Sequence, residues 1–244
     1  LTVIEKILSR HAGEEVRPGR IVWIDLDLVS ARDFAGPNVV QNYRRHYGQT
    51  PVADPSRTFF TFDLTVPAKT IQYANNQQIC RDFAREQGIA VHDVDAGIGT
   101  HVMMENGLVR PGQIAVGTDS HLNVLGAVGV FGQGMGDVDI AFAFRHRRTW
   151  FEVPHTVKVV VKGEHSETVE AKDLALAILR EVQTTHLLGH AVEFTGPAVE
   201  RLTLSGRITL PSMVTEMSGI AGFIPFTDAT REEYLAWVVG DASW

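Results

Sequence analysis

The alternation of apolar and polar positions divides the chain into short strands and amphipathic helices. Short apolar runs between polar turns predict strands at residues 21–29, 58–64, 89–94, 114–116, 157–162, 191–194 and 202–210. Apolar positions spaced three and four apart predict helices at residues 2–9, 75–87 and 172–182, and a helix that starts within 211–222. Strands that alternate with helices in this way predict an α/β fold, a three-layer α/β/α arrangement with a mostly parallel sheet.

This pattern continues along the chain without a linker, an internal repeat or a low-complexity tract. A length of 244 residues is ample for a hydrophobic core. We therefore predict a single α/β domain over residues 1–244, and a division into two subdomains stays open.

The turn after the predicted strand at 114–116 is the first candidate for chemistry. Thr118, Asp119, Ser120 and His121 follow this strand in one group. Burying four polar side chains costs free energy unless they pair or contact a ligand, and ligands bind at the carboxyl ends of strands in open α/β sheets. Two interpretations stay open for this group alone: an active-site turn, or a helix N-cap, which Thr, Asp and Ser all form well.

A glycine-rich stretch at 126–136 follows this turn. Its small residues predict a close approach between a helix and the neighbouring backbone. The GQGMGD sequence within it has the spacing of a dinucleotide-binding motif but does not open directly from a strand. Nucleotide binding is therefore not predicted.

Composition narrows the class of protein. The chain is 44% hydrophobic and 21% charged, as in ordinary soluble domains, and its net charge of −7 argues against a nucleic-acid partner. It has neither an apolar run of about 18 residues nor a signal-peptide pattern, so a cytoplasmic protein without a membrane partner is predicted. Its one cysteine, Cys80, excludes an internal disulfide and a multi-cysteine metal site within this chain.

Segments distributed along nearly the whole chain resemble one known family. They include TVIEKILSRHAG at 2–13, FDLTVPAK at 62–69, NQQICRDFAREQGI at 76–89, GIGTHVMMENGLVRPGQIAVGTDSH at 97–121, AVEFTGPAVERL at 191–202 and RITLPSMVTEMSGIAGFIPF at 207–226. The chain is similar in these segments to the large subunits of 3-isopropylmalate dehydratase and homoaconitase, in the aconitase superfamily. So many segments in one order indicate the aconitase-like scaffold far more specifically than any single motif.

The resemblance implies which groups carry out the chemistry. It matches His101 to a histidine that is held by an aspartate, matched by Asp119, and His121 to a histidine that is held by a glutamate, matched by Glu193. Two imidazole–carboxylate couples of this kind would each fix a ring tautomer. The predicted catalytic residues are accordingly His101, Asp119, Ser120, His121, Glu193 and Asp63.

Substrate contacts are predicted at two places. Arg32, Asp33 and Thr118 form the first set, because Arg32 replaces a family histidine and a guanidinium can bind a carboxylate with two N–H groups. Pairing of Arg32 with Asp33, or exposure of Arg32 to water, is the alternative. Arg145 and Arg148 belong to a cationic run that either binds an anionic substrate or forms a solvated helix end.

Three departures from the family set limits on the chemistry. Family members hold a [4Fe-4S] cluster with three cysteines, which would lie beyond residue 244, and their base is a serine from another domain or subunit. Leu64 stands where the family has the histidine that protonates the departing hydroxyl. We therefore predict no metal ligand and no cofactor in this chain, and a [4Fe-4S] cluster only if the natural chain is longer.

Three functions remain open at this point. The leading hypothesis is a lyase or isomerase that acts on a small carboxylic acid by His/Asp/Ser acid–base chemistry without a cluster. The second is the N-terminal part of an ordinary [4Fe-4S] 3-isopropylmalate dehydratase large subunit, and the third is a non-catalytic, partner-binding subunit. The predicted partners are a small carboxylate substrate and either a second copy of the chain or a small subunit that carries a swivelling domain.

Overall fold

Helices and strands alternate along the chain in the computed structural model, which describes residues 1–163, 166 and 168–238. In chain order the α-helices are α1 (Val3–Ala12), α2 (Gly36–Tyr47), α3 (Ile71–Gln87), α4 (Gly99–Glu105), α5 (Asp137–His146), α6 (Ala171–Leu187), α7 (Pro197–Glu200), α8 (Leu204–Ser212) and α9 (Asp228–Trp237). The strands are β1 (Ile21–Asp25), β2 (Leu28–Arg32), β3 (Thr58–Thr61), β4 (Ala90–His92), β5 (Ile114–Gly117), β6 (Phe131–Gly134), β7 (Arg148–Glu152), β8 (Thr156–Val160), β9 (Ala191–Thr195) and β10 (Ala221–Phe223). Short 3-10 helices occupy Pro55–Arg57 and Leu122–Val128.

The central sheet has the strand order β4-β3-β2-β5-β6, and every pair in it is parallel. The chain moves outward from β2 through β3 to β4, and it then returns to place β5 on the other side of β2. The strand order therefore reverses between β2 and β5. In open α/β sheets ligands bind in the crevice outside the carboxyl ends of the strands at such a reversal.

Alternate side chains of the central strands face two different hydrophobic layers. Val29 and Phe60 belong to the core under α2, α3 and α5, whereas their neighbours Leu28 and Phe59 belong to the core under α4, α8 and α9. A parallel sheet that is covered on both faces in this way is the three-layer architecture that the sequence predicts.

A second parallel sheet, in the order β10-β9-β8, follows in the last third of the chain. It meets the glycine-rich stretch where Gly126 lies against the backbone of Gly222, so closely that a Cβ on Gly126 would overlap the carbonyl group of Gly222. The predicted close backbone approach is therefore confirmed. This contact brings the segment between α8 and β10 next to the turn that follows β5.

An antiparallel ribbon of β1 and β7 packs against the outside of the first core. The sequence predicts one strand over 21–29, but the chain leaves the ribbon at Leu26, whose N–H donates to the carbonyl of Arg147, before it enters β2. The alternation of apolar and polar residues over 21–29 does not reveal such a change of sheet, because both halves have buried positions.

Other boundaries agree with the sequence within a few residues, with two clear exceptions. The helix predicted to start within 211–222 is wrong, because α8 ends at Ser212 and β10 occupies Ala221–Phe223. Helix α1 begins after Thr2, whose hydroxyl accepts from the Glu5 N–H as the predicted N-cap. The extended segment predicted at 202–210 is wrong, because Thr203 caps α8 by accepting from the Gly206 N–H. The β-branched and apolar residues of this segment alternate with a period of two, which conceals the helical spacing of its buried leucines.

In the part of the chain that the structure describes, no helix is both long enough and apolar enough to cross a membrane. The predicted domain, residues 1–244, ends outside the described residues at 239–244.

Candidate active site

Polar side chains gather where β2, β3 and β5 end. Arg32 is the last residue of β2, Asp63 follows β3, and Thr118 and Asp119 follow β5. Because these strands are parallel neighbours, their carboxyl ends meet at one edge of the sheet, at the reversal between β2 and β5. Three segments far apart in sequence therefore supply one cluster.

Arg32 joins the two carboxylates of this cluster. Its Nε donates to Asp63 Oδ1 at 2.7 Å, and its Nη1 donates to Asp119 Oδ1 at 3.2 Å. The backbone N–H of Arg32 donates to Thr118 Oγ1 at 2.9 Å, which fastens β2 to the turn after β5. We call Arg32, Asp63 and Asp119 the Arg32 bridge.

The Arg32 bridge is largely removed from water. The side chain of Arg32 is 22% exposed, that of Asp63 is 2% exposed and that of Asp119 is 8% exposed. Burial alone would lower the pKa of Arg32, but the negative charges of Asp119 and Asp63 raise it. The guanidinium therefore stays charged, and its remaining N–H groups can bind a carboxylate.

Asp63 also organises the next loop. Its Oδ2 accepts from the N–H of Gly99 at 2.6 Å, at the start of α4. A Cβ on Gly99 would lie 2.6 Å from Thr61 Oγ1, so the loop can come this close only with glycine there. Next to Asp63, the side chain of Leu64 is 47% exposed at the mouth of the site.

Glu216 holds His121, whereas the sequence predicts that Glu193 does so. The Nε2 of His121 lies 2.8 Å from Glu216 Oε1, and Thr215 donates from Oγ1 to the carbonyl of Ser120 at 2.9 Å. Because Gly222 packs against Gly126, the segment with Thr215 and Glu216 lies next to the turn after β5. Glu193 instead lies in β9, with Lys158 of β8 as its register partner.

The imidazole of His121 connects Glu216 to a hydroxyl. An ionised carboxylate only accepts hydrogen bonds, so Nε2 carries the hydrogen and Nδ1 is free to accept from Ser120 Oγ at 3.1 Å. The side chains of His121 and Glu216 are 43% and 44% exposed, so a ligand can reach them. The order hydroxyl, imidazole, carboxylate suits proton transfer.

His101 does not pair with Asp119 as the sequence predicts. Asp119 Oδ1 already accepts from Arg32 and from the N–H of His121 at 2.9 Å. Arg32, which stands in place of the family histidine, reaches across to Asp119. The Nδ1 atom of His101 is buried and has no hydrogen-bond partner among the described residues.

Asp33 faces inward, away from the site in which the sequence predicts it. It is fully buried, its Oδ2 accepts from Gln77 Nε2 at 3.0 Å, and its Oδ1 accepts from the N–H of Leu64 at 3.3 Å. With both carboxylate oxygens bonded inside the protein, Asp33 does not face the crevice as Arg32 does. Asp33 fixes the loop after β3 to α3.

Arg145 and Arg148 lie at the other edge of the sheet, so they do not join this site. Helix α5 starts after β6 at the carboxyl edge and runs back, and Arg147 at its end donates to the carbonyl of Leu26, ahead of β2, at 2.8 Å. Arg148 lies over the ring of Trp23, 5.0 Å from its centroid. The alternative interpretation of this run, a helix end, agrees with the structure.

A cavity of about 310 Å³ opens beside the turn. Thr118, Ser120, Gln133 and Thr215 line it, and the Oε1 atom of Gln133 is buried without a hydrogen-bond partner among the described residues. This volume is within the range of small-molecule sites. Gln133 could not be chosen from the sequence, because one amide in a glycine-rich stretch has no periodic pattern.

The cysteine of this chain does not fit an iron–sulfur cluster. Cys80 is fully buried, and burial raises the pKa of its thiol to about 12, whereas a cluster ligand must be a thiolate. A Cβ on Gly36 would lie 2.6 Å from its Sγ, which is therefore packed within the core. Among the described residues, no group of three or more His, Cys, Asp or Glu side chains could hold a metal ion.

Exposed apolar side chains surround the entrance to the site. They project from the loops after β2, β3 and β4 and from the start of α3, and their exposed fractions are 67% for Phe34, 47% for Leu64, 42% for Val66, 83% for Ile71 and 57% for Ile98. We call these five residues the apolar rim. A rim of this kind around a charged centre is typical of a surface that another protein segment covers.

Comparison with known proteins agrees with this geometry. The family model described as the aconitase family (aconitate hydratase) matches residues 5–238. The 3-isopropylmalate dehydratase large subunit of Methanoregula boonei is 36% identical over 234 residues, which is 96% of this chain and 56% of that protein. A probable methanogen homoaconitase large subunit of Methanothermobacter thermautotrophicus is 40% identical over 229 residues, or 92% of this chain and 54% of that protein.

A solved structure supports the same fold. The holo-form of Thermococcus kodakaraensis aconitase X superposes with a TM-score of 0.50 at 13% identity, over 95% of this chain and 60% of that one. The chain spans about half the length of the curated relatives that it matches. With a family model that matches nearly the whole chain and relatives above 35% identity, the chain belongs to the aconitase family.

Proposed function

We propose that the protein is a hydro-lyase that adds water to, or removes it from, a substituted malate at the Arg32 bridge. The observation that carries this proposal is a charged guanidinium, held between two buried carboxylates beside the Ser120–His121–Glu216 chain. The names of the relatives, which include 3-isopropylmalate dehydratase and homoaconitase, support a malate with a substituent on C3.

Arg32 is the proposed ligand for a substrate carboxylate. Its Nε and one N–H of Nη1 are used within the Arg32 bridge, which leaves further N–H groups of its five donors for the substrate. Two parallel hydrogen bonds to a carboxylate would fix the acid against the crevice between β2 and β5. The cavity beside Thr118 and Gln133 then has room for the hydroxyl-bearing end.

His121 is the proposed base. Dehydration breaks the C–H bond next to one carboxylate and the C–OH bond on the adjacent carbon, and it forms a C=C bond and water. The proton passes to Nδ1 of His121, either directly or through Ser120 Oγ, while Glu216 stabilises the imidazolium through Nε2. Leu64 cannot protonate the departing hydroxyl, so the imidazolium of His121 has to pass its proton to that hydroxyl, which leaves as water.

Two versions of this function differ in how the hydroxyl is activated. The cluster-free version is supported by Leu64 in place of a proton donor and by Arg32 between the carboxylates, because both change the site itself. A second candidate, a [4Fe-4S] enzyme of which this chain is one part, is supported by the relatives' greater length. In that version the cluster would supply Lewis-acid chemistry at the hydroxyl, from cysteines outside this chain.

The apolar rim is the proposed contact for a small subunit or for a further domain of the same protein. The relatives' names describe large subunits, which supports a smaller partner chain. Closing such a segment over the rim would remove water from the Arg32 bridge and strengthen its hydrogen bonds to the substrate.

The test is hydration of an alkyl-substituted maleate by the full-length protein. The reaction is measured as the loss of ultraviolet absorbance of the conjugated double bond. The protein is assayed as purified and after reconstitution with iron and sulfide, and bound iron is measured in both samples. We expect His121→Gln to lower kcat by about 100-fold or more, and Arg32→Lys to raise KM because lysine lacks the two-pronged donor geometry.

His186→Gln is the matched control, since His186 is exposed and bonds only to its own helix at the carbonyl of Val182. Activity without iron would support the cluster-free version, and activity only after reconstitution would support the second candidate. The proposal is wrong if neither sample turns over any substituted maleate or malate, or if His121→Gln retains wild-type kcat.

A further inference from the structure

The ribbon of β1 and β7 presents two tryptophans to solvent. Along each strand, exposed and buried residues alternate, and the outward positions of β1 are Ile21, Trp23 and Asp25. Trp23 is directly opposite Trp150 of β7, and their exposed fractions are 47% and 49%. Both indoles therefore lie on the same outer face.

The protein core does not need these tryptophans. The inward residues Val22, Ile24 and Phe151 are 4%, 1% and 8% exposed, so they already bury the inner face of the ribbon. Leaving two large aromatic side chains half exposed forgoes most of the free energy that their burial could provide. Contiguous exposed apolar surface of this kind marks a site of association.

Helix α5 extends this apolar surface. Phe142 lies beside Trp23 with 5.7 Å between ring centroids, and Val138, one turn earlier, is 59% exposed. A cavity of about 240 Å³ between the helix and the ribbon is lined by both tryptophans, Tyr47 and Phe142. We call Ile21, Trp23, Val138, Phe142 and Trp150 the aromatic face.

The charges at one end of the ribbon make that end complementary to itself. At one end Asp25 is directly opposite Arg148, and at the other Ile21 is opposite Glu152. A two-fold axis parallel to the strands would lay β1 of one copy on β7 of the other. That rotation places Trp23 on the second copy's Trp150 and Asp25 on the second copy's Arg148, so four charges of alternating sign would close one end of the contact.

We propose that the aromatic face is a homodimer interface, formed by two copies of this chain that stack their β1–β7 ribbons about a two-fold axis. An isologous interface needs a surface that fits its own copy, and a central pair of tryptophans with the opposite charges of Asp25 and Arg148 at one end fulfils that condition. The Asp25 end of the ribbon leads into β2 at the amino edge of the central sheet. The dimer therefore leaves the Arg32 bridge, at the carboxyl edge, open to substrate.

The test is the mass of the full-length protein in solution, measured by sedimentation equilibrium over a range of concentrations. We expect a dimer for the wild type, and at least tenfold weaker association for the double variant Trp23→Ser, Trp150→Ser. Asp25→Arg alone and Arg148→Asp alone should each weaken association, whereas the double variant Asp25→Arg, Arg148→Asp should restore it, since the charges are exchanged between copies.

Glu86→Arg is the matched control, because Glu86 pairs with Arg44 on a different exposed surface and should not affect the dimer. Circular dichroism checks that every variant is folded, and if the serine variant is not, the exchange of charges decides. A wild type that is monomeric at all concentrations would overturn the proposal. In that case fluorescence quenching shows what covers the face: if a soluble quencher cannot reach the tryptophans of the monomer, another part of the same protein covers them. A dimer that persists in both single charge variants would overturn it as well.

Discussion

Arg32 is the residue on which both buried carboxylates of the site depend. Asp63 and Asp119 are almost completely buried, and each accepts a hydrogen bond from the guanidinium of Arg32. A buried charge that loses its partner destabilises a protein much more than a surface ion pair does. This difference leads to a prediction about stability that is independent of catalysis.

We expect Arg32→Gln to lower the free energy of unfolding by about 3 kcal/mol, because it leaves two buried carboxylates without a counter-charge. Adding Asp63→Asn should recover part of this loss. The matched control, Arg44→Gln, breaks the exposed pair with Glu86 and should cost at most about 1 kcal/mol. Urea denaturation measures all three, and equal losses for Arg32→Gln and Arg44→Gln would contradict the argument.

Glu216 is a positioning residue, because it acts through His121. Glu216→Gln removes the negative charge but keeps the shape, so we expect kcat to fall by about tenfold to 100-fold while KM changes little. Steady-state kinetics on the full-length protein measure both constants. Glu193→Gln is the control and should leave kcat within about twofold of wild type. A large fall in kcat for Glu193→Gln would contradict the assignment of Glu216 as the partner of His121.

The turn with Asp119, Ser120 and His121 was predicted from the sequence because four polar residues follow a buried strand. It assigned the wrong glutamate to His121, since Glu193 and Glu216 lie in segments that both resemble the family, and a single sequence does not state which segment reaches the turn. The approach of Gly126 to Gly222 decides this, and it is a tertiary contact. Arg32 was predicted as a ligand, but its two partners across the sheet were not.

Helix α1 is attached to the central sheet by an ion pair between His11 and Asp27. Both ring nitrogens of His11 face acceptors, the carbonyl of Ile7 at 2.8 Å and Asp27 Oδ2 at 2.7 Å. Only a protonated imidazole can donate to both. Asp27 in turn accepts from the N–H of Ile114 at the start of β5, so this pair joins α1 to the central sheet.

The pair makes stability depend on pH. Burial alone would lower the pKa of His11, but its hydrogen bonds to Asp27 and Ile7 raise it above the ordinary value of 6.5, so its stabilisation is present below 6.5 and is lost as pH rises through the raised value. Burial would raise the pKa of Asp27, but the bonds from His11 and Ile114 lower it below 3.8, so its stabilisation is lost only in acid. The ion pair therefore stabilises the folded protein most between pH 3.8 and pH 6.5, where both contributions are fully present.

We expect His11→Gln to lower the free energy of unfolding by about 1–2 kcal/mol near pH 5.5, with a smaller difference above about pH 8. Thermal or urea denaturation at both pH values measures the change. His186→Gln provides the control, because the exposed His186 bonds only within its own helix. A loss that is equal at both pH values would contradict the assignment of a protonated His11.

Two glycines of the glycine-rich stretch differ in how closely they are packed. A Cβ on Gly132 would overlap the carbonyl oxygen of Leu122, whereas on Gly136 it would meet only Asp139 Oδ2 at 3.4 Å. We expect Gly132→Ala to destabilise the protein by about 3 kcal/mol and Gly136→Ala to stay within about 0.5 kcal/mol of wild type. Chemical denaturation of the two variants tests this, and equal stabilities would refute the packing argument.

Elements with one dominant periodicity were predictable from the sequence, and those whose neighbours decide their conformation were not. The amphipathic positions of α3 and the apolar runs of β5 and β9 agree with the structure. Helix α8 was missed because its period-two pattern conceals a helix that Thr203 caps. The break between β1 and β2 was missed because both strands contribute to the same core.

Among the described residues, most of the exposed large apolar side chains lie in the aromatic face and the apolar rim. The apolar rim surrounds the charged Arg32 bridge and is exposed to solvent. We expect Leu64→Gln together with Ile71→Gln to reduce binding of an environment-sensitive hydrophobic dye without lowering stability by more than about 0.5 kcal/mol, since both side chains are largely exposed. Fluorescence titration of this 244-residue chain measures the first effect, and unchanged dye binding would argue against an accessible rim.

The Arg32 bridge also has a consequence for how the molecule is synthesised. Its two ion pairs connect residues 31 and 87 positions apart in sequence. At a translation rate of about 5–20 residues per second, Asp119 is made roughly 4–17 s after Arg32. A nascent chain therefore holds the guanidinium with one carboxylate at most until β5 is inserted beside β2. The Arg32 bridge can therefore close only after β5 has left the ribosome, because a contact of such long range forms late.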